Sequence, residues 1–347
     1  MNLPMAPSLP AVPGRAALHA DAMSLDQPTA PGRRALEVCS VVVTMNPEVE
    51  HFQQLLVALA CQVGHVFVID NGSNAPVREC LEQACARDDV SLIALESNQG
   101  IAAAQNVGIR LALKSGAEFV LLSDHDSLPH DDMVAALLGA LGARRGAGGK
   151  VAAVGPVSID RRTGTASKFV RLTWRGVRRC GCDDAADGIV PADFLIASGC
   201  LIPAEALNAV GLMNEGYFID HVDTEWCLRA RHQGWEILGV CGALLDHTLG
   251  DSVIRVWLGR WREVPVHSPV RDYYMFRNTV RMLLTTPMSI AWRITHLYRL
   301  SQFAVFFGLG MSPRFRRIRL MTKGIIDGIK GRGGALVEAR QGRGTDR

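Results

Sequence analysis

Asp124 and Asp126 flank His125 directly after the apolar run 119–122. Side chains along a strand alternate between faces, so residues two apart point the same way and both carboxylates leave the strand end together. Two negative charges that close repel each other, and a divalent cation relieves the repulsion. Mg²⁺ or Mn²⁺ held by one or two carboxylates plus substrate phosphates is a common arrangement in enzymes that handle nucleotide diphosphates. Asp70, in Asp70-Asn71-Gly72-Ser73, is good turn chemistry by itself; at a strand end beside the Asp pair its carboxylate could accept the N3–H of a pyrimidine ring. A second acidic cluster runs from Asp220 to Glu225. Helical spacing puts Asp220 and Asp223 on one face, and one carboxylate within reach of an acceptor hydroxyl would be a general base. Glu225 and Arg229, four apart, read as an ordinary surface pair. His247 follows a strand-like stretch, where a neutral imidazole is either structural or a third ligand for a divalent ion.

These residues need a frame. From Val38 short Val, Ile and Leu runs alternate with helical stretches: 38–44 then 48–61, 66–70 then 76–87, 90–95 then 101–115, 119–122 then 131–142, with a further strand at 151–154. That alternation predicts an α/β fold, a mostly parallel central sheet with helices on both faces. Ligands bind beyond the carboxyl ends of such strands. The polar clusters fall there: Thr44-Met45-Asn46, Asp70-Asn71-Gly72-Ser73, Asn98-Gln99-Gly100 and the Asp pair. In 98–106 the small residues permit close approach of backbone to ligand, and the helix start offers N–H groups to an anion; Asn98 and Asn106 are its polar positions. Residues 158–190 read as a polar excursion near the acceptor side, and order returns from Ala192 with helices near 203–209 and 222–233.

With 347 residues, 48% of them hydrophobic and 20% charged, the chain has a full core, and a net charge of +3 is too small for a nucleic-acid binder. Nine cysteines occur with no Cys-x-x-Cys, several in apolar strand-like contexts (Cys39, Cys200, Cys241), so reduced thiols in a cytosolic compartment are expected rather than a zinc site or a disulfide framework. Residues 1–35, with six prolines among alanines, read as a flexible leader, or as an over-extended reading frame. The expected catalytic domain is 36–280. Beyond it, 281–347 is apolar and then basic (Arg314, Arg316, Arg317, Arg319), too short in its uncharged run to span a bilayer and suited to lying on an anionic membrane face. The alternative is a helical cap with a solvated arginine rim.

Taken in order, the motifs resemble those of glycosyltransferase family 2, of the GT-A fold, and among its members the bacterial rhamnosyltransferases of cell-surface polysaccharide. The resemblance is carried by 41–47, 69–73, 98–109, 124–129, 197–202, 216–229, His247 with 249–251, and 271–278. It implies that Thr44, Asp70 and Asn98 hold the donor nucleotide. It further implies that Asp124 lies nearer the ribose, that Asp126 and His247 complete a metal site with it, and that Asp223 deprotonates the acceptor. Val222 stands where the family's motif has an acid, so Asp220 is the competing base. Ser198 and Gly199 match the stretch bordering the acceptor, with Asp220 on the same side.

The implied reaction is inverting, metal-dependent transfer from dTDP-L-rhamnose to a lipid-linked saccharide at the cytoplasmic membrane face, by a chain that is peripheral there and open to homo-oligomerisation. UDP-galactofuranose or a UDP-hexose would serve the same mechanism, since nothing in the sequence separates thymine from uracil. A catalytically dead nucleotide-sugar-binding scaffold would have no need of Asp124, Asp126, Asp223 and His247 together. Nucleotidyl transfer would want a Gly-rich basic loop after the first strand, which 44–50 lacks.

Overall fold

The computed structural model describes residues 37–336, apart from 174–175, 248–252, 258–260 and 266. The leader expected over 1–35, and the segment 249–251, lie outside the described residues. The elements run β1 (Val38–Thr44), α1 (Val49–Ala60), β2 (His65–Asp70), α2 (Ala75–Ala84), β3 (Val90–Ala94), α3 (Ile101–Lys114), β4 (Phe119–Asp124), β5 (Ser127–Pro129), α4 (Met133–Gly146) and β6 (Val151–Asp160). A hairpin of β7 (Phe169–Thr173) and β8 (Gly176–Cys180) follows, then β9 (Ile189–Ala192), β10 (Cys200–Pro203), α5 (Ala204–Val210), α6 (Val222–His232) and β11 (Glu236–His247). A second hairpin, β12 (Val253–Trp257) with β13 (Trp261–Pro265), leads into α7 (Pro269–Thr285), α8 (Ile290–Leu309) and α9 (Arg314–Ile329).

The main sheet has the order β3-β2-β1-β4-β10-β6-β11-β5, with β9 also on β11. Its β3-β2-β1-β4 half is parallel; β10 enters antiparallel between β4 and β6, and β6 and β11 are again parallel. The sheet is mixed but mostly parallel, as expected, with helices flanking it and the C-terminal helices beyond. The valine run of β1 is buried on both sides, Val38 and Val42 facing one core with α1, α2 and α4, and Cys39, Val41 and Val43 facing the other with α3, α5 and α6. Gly108 lets α3 lie close on β1, because a Cβ there would stand 2.3 Å from Val41 Cγ1.

Two expectations are corrected. Cys182 and Cys241 are disulfide-bonded, so not every thiol is reduced; the turn after β8 returns against β11 and leaves the two Cα atoms 5.6 Å apart, within disulfide reach. Glu225 and Arg229 are not a surface pair. Their ion pair is largely buried, and Arg229 also donates to the carbonyls of Val210 and Leu212, fastening α6 to the end of α5.

Candidate active site

Parallel pairing puts Thr44 opposite Asp70 at the carboxyl ends of β1 and β2, and Asp124 opposite Val43 at the end of β4. Asp70 has no exposed surface. One of its oxygens accepts the Ser73 N–H at 3.0 Å, and the other lies 3.5 Å from Arg78 Nε without a hydrogen bond. Thr44 Oγ1 is likewise buried with no hydrogen-bond partner. Buried oxygens left unbonded at a sheet edge are costly unless a ligand or water completes them. Asn98 braces the neighbouring loop: its Oδ1 accepts from Asn71 Nδ2 and from the Gly100 N–H, while Asn71 Oδ1 accepts the Gln99 N–H.

The two carboxylates after β4 converge for a reason other than strand alternation. Asp124 ends the strand, and His125 and Asp126 form the tight turn into β5. His247 arrives from far along the chain. A register shift between Val240 and Leu244 re-aims the last residues of β11 so that they pair with β5, setting His247 opposite Ser127. Asp124, Asp126 and His247 then offer ligand atoms all within 4.8 Å of one another, and each residue is half-buried. His247 Nδ1 lies 3.5 Å from Asp126 Oδ1 and 2.9 Å from Ser127 Oγ.

Ser198, expected beside the acceptor, is fully buried beneath this cluster. Its hydroxyl accepts the Asp124 N–H and meets Ser127 Oγ at 2.5 Å, completing a chain Asp124–Ser198–Ser127–His247. Gly199, at φ +77, packs a bare Cα against Pro156 and donates its N–H to Leu122, so this turn supports the site from below. Burial, with the Asp126 charge next to it and a smaller push from Asp223, raises the Asp124 carboxyl to about 7. A carboxyl raised first by burial and then by a neighbouring carboxylate is a place where a cation would favour the ionised form. Two carboxylate oxygens and an imidazole nitrogen, fixed by hydroxyls, form a donor set that suits Mn²⁺ or Mg²⁺.

Asp223 stands in the first turn of α6, after a strained approach. Phe218, Asp220 and His221 all have positive φ, and the N–H of Ile219 closes a three-residue turn on Tyr217 O at 2.7 Å. Asn278 holds this loop, donating to the carbonyls of Tyr217, Ile219 and Asp220, and fully buried Arg277 adds bonds to Gly216 and Tyr217. The loop also takes the N-terminus of α3: the Ile101 N–H donates to Phe218 O at 2.6 Å, and a Cβ on Gly100 would collide with Phe218. That N–H, expected to be free for an anion, is occupied. Asn106 is a brace too, gripping Met213 through both main-chain groups and Glu215 through its carboxylate.

Asp220 turns to Arg271, whose Nε is 3.1 Å from Oδ1, whereas Asp223 Oδ1 accepts the Thr224 N–H at 2.6 Å. Burial raises the Asp223 carboxyl, and Asp220 adds to the shift against the lowering effect of Thr224. Asp223 lines a small pocket with Gln105, Ala197 and Trp226, and its charge is felt at Asp124. The supporting residues Ser127, Arg277 and Asn278 carry no chemical signature in sequence; only their places in the 124–129 and 271–278 motifs pointed at them.

Residues 40–179 match the model of the family described as "Glycosyl transferase family 2". The chain is 31% identical over 300 residues to dTDP-rhamnosyl transferase RfbF of Shigella flexneri, covering 85% of this chain and 96% of that protein. It is 26% identical over 251 residues to galactofuranosyltransferase GlfT1 of Mycobacterium tuberculosis, covering 70% and 80%. Among solved structures it resembles GalNAc-T7 with UDP, GalNAc and Mn²⁺ (TM-score 0.56, 14% identity, 86% of this chain and 57% of that one). It also resembles Staphylococcus aureus TarS 1–349 with UDP-GlcNAc (TM-score 0.53, 15% identity, 84% and 80%). The chain belongs to glycosyltransferase family 2: it is a hexosyltransferase of the GT-A fold, similar to rhamnosyltransferases.

Proposed function

We propose that this chain is an inverting transferase that moves L-rhamnose from dTDP-L-rhamnose to a lipid-linked saccharide in cell-surface glycan synthesis, working as a peripheral protein on the cytoplasmic face of the membrane. The observation that carries the reaction is the convergence of the Asp124–Asp126–His247 cluster and Asp223 at one edge of the sheet. The donor rests on the 31% identity to RfbF over most of both chains. In this reading the unbonded oxygens of Thr44 and Asp70 receive the pyrimidine, with Asn98 keeping the adjoining loop in place.

Asp124, Asp126 and His247 would hold Mg²⁺ or Mn²⁺, which as a Lewis acid offsets charge on the departing diphosphate. Ser127 and Ser198 keep the His247 ring and the Asp124 main chain in register with that set. Asp223 takes the proton of the acceptor hydroxyl as that oxygen bonds to the anomeric carbon, and the bond to the nucleoside diphosphate breaks on the opposite side. One displacement inverts the centre with no covalent intermediate, through a transition state of oxocarbenium character as in glycoside hydrolysis. Asp220, neutralised by Arg271, is the poorer base.

Titration calorimetry with dTDP-rhamnose, UDP-galactofuranose and UDP-glucose, each with Mg²⁺, with Mn²⁺ and without metal, tests the reading. Metal-dependent preference for dTDP-rhamnose is the expected result. The relation to GlfT1 makes UDP-galactofuranose the specific competitor, and a preference for it would keep the mechanism and overturn the donor. Binding of none by folded protein would overturn both.

A further inference from the structure

Among the described residues, eleven of the fifteen exposed large apolar side chains lie between Leu284 and Ile329. On α8 they are Ile290, Ile294, Leu297, Tyr298, Val305 and Leu309, each more than half exposed. Their three- and four-residue spacing puts them on one face of the helix, running its whole length of roughly 30 Å at 1.5 Å per residue. Beyond the turn into α9, Phe315 is 92% exposed. These helices are not loosely attached. Trp292 of α8 donates to buried Asp193 at 2.7 Å, and Arg317 of α9 pairs with Asp272 at 2.5 Å, both on the inner side.

Charge selects what covers the face. From Thr286 to Leu336 the sequence holds a single acid, Asp327, which is buried and tied to Lys323 and Arg332. The exposed charges there, Arg314, Arg319 and Lys330 among them, are all cationic. A second copy of the chain would set arginine against arginine across an apolar contact, with no acid to answer it. An anionic bilayer supplies both a hydrocarbon boundary for the stripe and phosphate for the cations. Among the described residues no helix is long and apolar enough to cross a membrane, so the chain would lie on the surface.

We propose that the outward stripe of α8, with Phe315, Arg314 and Arg319 of α9, is the face by which this protein docks flat on an anionic membrane. The inference deepens the peripheral reading above by naming its surface. The inner face of α8 carries His296, whose ring meets that of His221 at 5.9 Å between centroids, and His221 is two residues before Asp223. Docking therefore holds His296, on the far side of α8, about one helix diameter, roughly 10 Å, above the lipid boundary, with the loop that leads into Asp223 beyond it.

Co-sedimentation of the full chain with phosphatidylcholine vesicles, alone or mixed with phosphatidylglycerol, tests this without donor or acceptor. Binding at least tenfold stronger to the anionic vesicles is expected. Arg314→Gln with Arg319→Gln should weaken it about 25-fold, near fivefold for each cation at the surface. Leu297→Asp with Val305→Asp should abolish it while melting temperature and nucleotide affinity hold. Asp223→Asn should dock like the parent, so loss of the catalytic reading leaves this result standing. Three results would overturn the proposal: no vesicle binding by folded protein, vesicle binding unchanged in the stripe variant, or a dimer in sedimentation velocity that the stripe variant dissolves.

Discussion

Asn278→Ala removes a residue with no exposed surface whose amide is committed to Tyr217 O at 2.8 Å, Ile219 O at 2.6 Å and Asp220 O at 3.1 Å. Tyr217 O keeps a bond from Arg277 Nη2 at 2.9 Å, so the change orphans two carbonyls and the buried Arg277 Nε, which donates to Asn278 Oδ1 at 2.9 Å. At about 1–3 kcal/mol for each group left unpaired, the direct cost of the three is about 3–9 kcal/mol. Relaxation of the positive-φ residues Phe218, Asp220 and His221, each holding strain of order 1–3 kcal/mol, returns part of it. A net loss of about 3 kcal/mol corresponds, for a folded unit of about 300 residues, to a melting temperature lower by roughly 5 °C. The relaxed loop leads directly into Asp223, and a misplacement near 1 Å at a reacting group costs about 100-fold in rate. Nucleotide affinity should stay within twofold, because Thr44 and Asp70 sit at the ends of other strands. Calorimetric melting, nucleotide titration and single-turnover transfer read the three quantities separately. A variant that melts early yet transfers at the parental rate would refute the claim that this loop positions the base. One that loses nucleotide affinity in step with rate would place Asn278 in the donor site instead.

Asp126→Ala should make dTDP affinity low and indifferent to Mn²⁺ or EDTA; retention of a metal-dependent affinity would remove Asp126 from the ligand set. Ser127→Ala breaks the hydroxyl chain to His247 while sparing all three ligands, and should weaken Mn²⁺ binding by about 10–100-fold, measured by titration of the metal against nucleotide-loaded protein. Because burial holds the Asp223 carboxyl above the ordinary aspartate range and a base must be ionised, transfer should be lost as pH falls through that raised value. Thr224→Val removes a hydroxyl that favours the ionised form, so the acid limb of the rate profile should move to higher pH; an unmoved limb would mean that another group titrates there.

Much of this was legible in the sequence because it rests on local periodicity. Val, Ile and Leu runs broken by helical stretches gave the alternating order of the first half, and the polar residues Thr44, Asp70 and Asp124 do gather at the carboxyl ends of neighbouring strands. The antiparallel insertion of β10 could not be read, since an apolar strand of four residues carries no direction. The carboxylates of Asp124 and Asp126 do converge, through a turn rather than through alternation. His247 reaches them by a register shift in β11 that no residue type signals. The roles of Ser198, Asn106 and the Glu225–Arg229 pair escaped notice for a common reason. Each depends on a partner distant in sequence or on burial at a helix junction, so the Ser198 hydroxyl, placed by resemblance on the stretch bordering an acceptor, lies beneath the Asp124–Asp126–His247 cluster. The Cys182–Cys241 bond is a further long-range closure, between residues 59 apart.

Asp223→Asn is the substitution that bears on the central claim most directly. Saturated with dTDP-rhamnose and Mn²⁺ and mixed with membrane acceptor, the variant should bind the donor as tightly as the parent and transfer sugar about 10²–10⁴-fold more slowly, the contribution of a positioned general base. Transfer within a few-fold of the parental rate would contradict the account, because Asp223 would then not be the group that takes the acceptor proton.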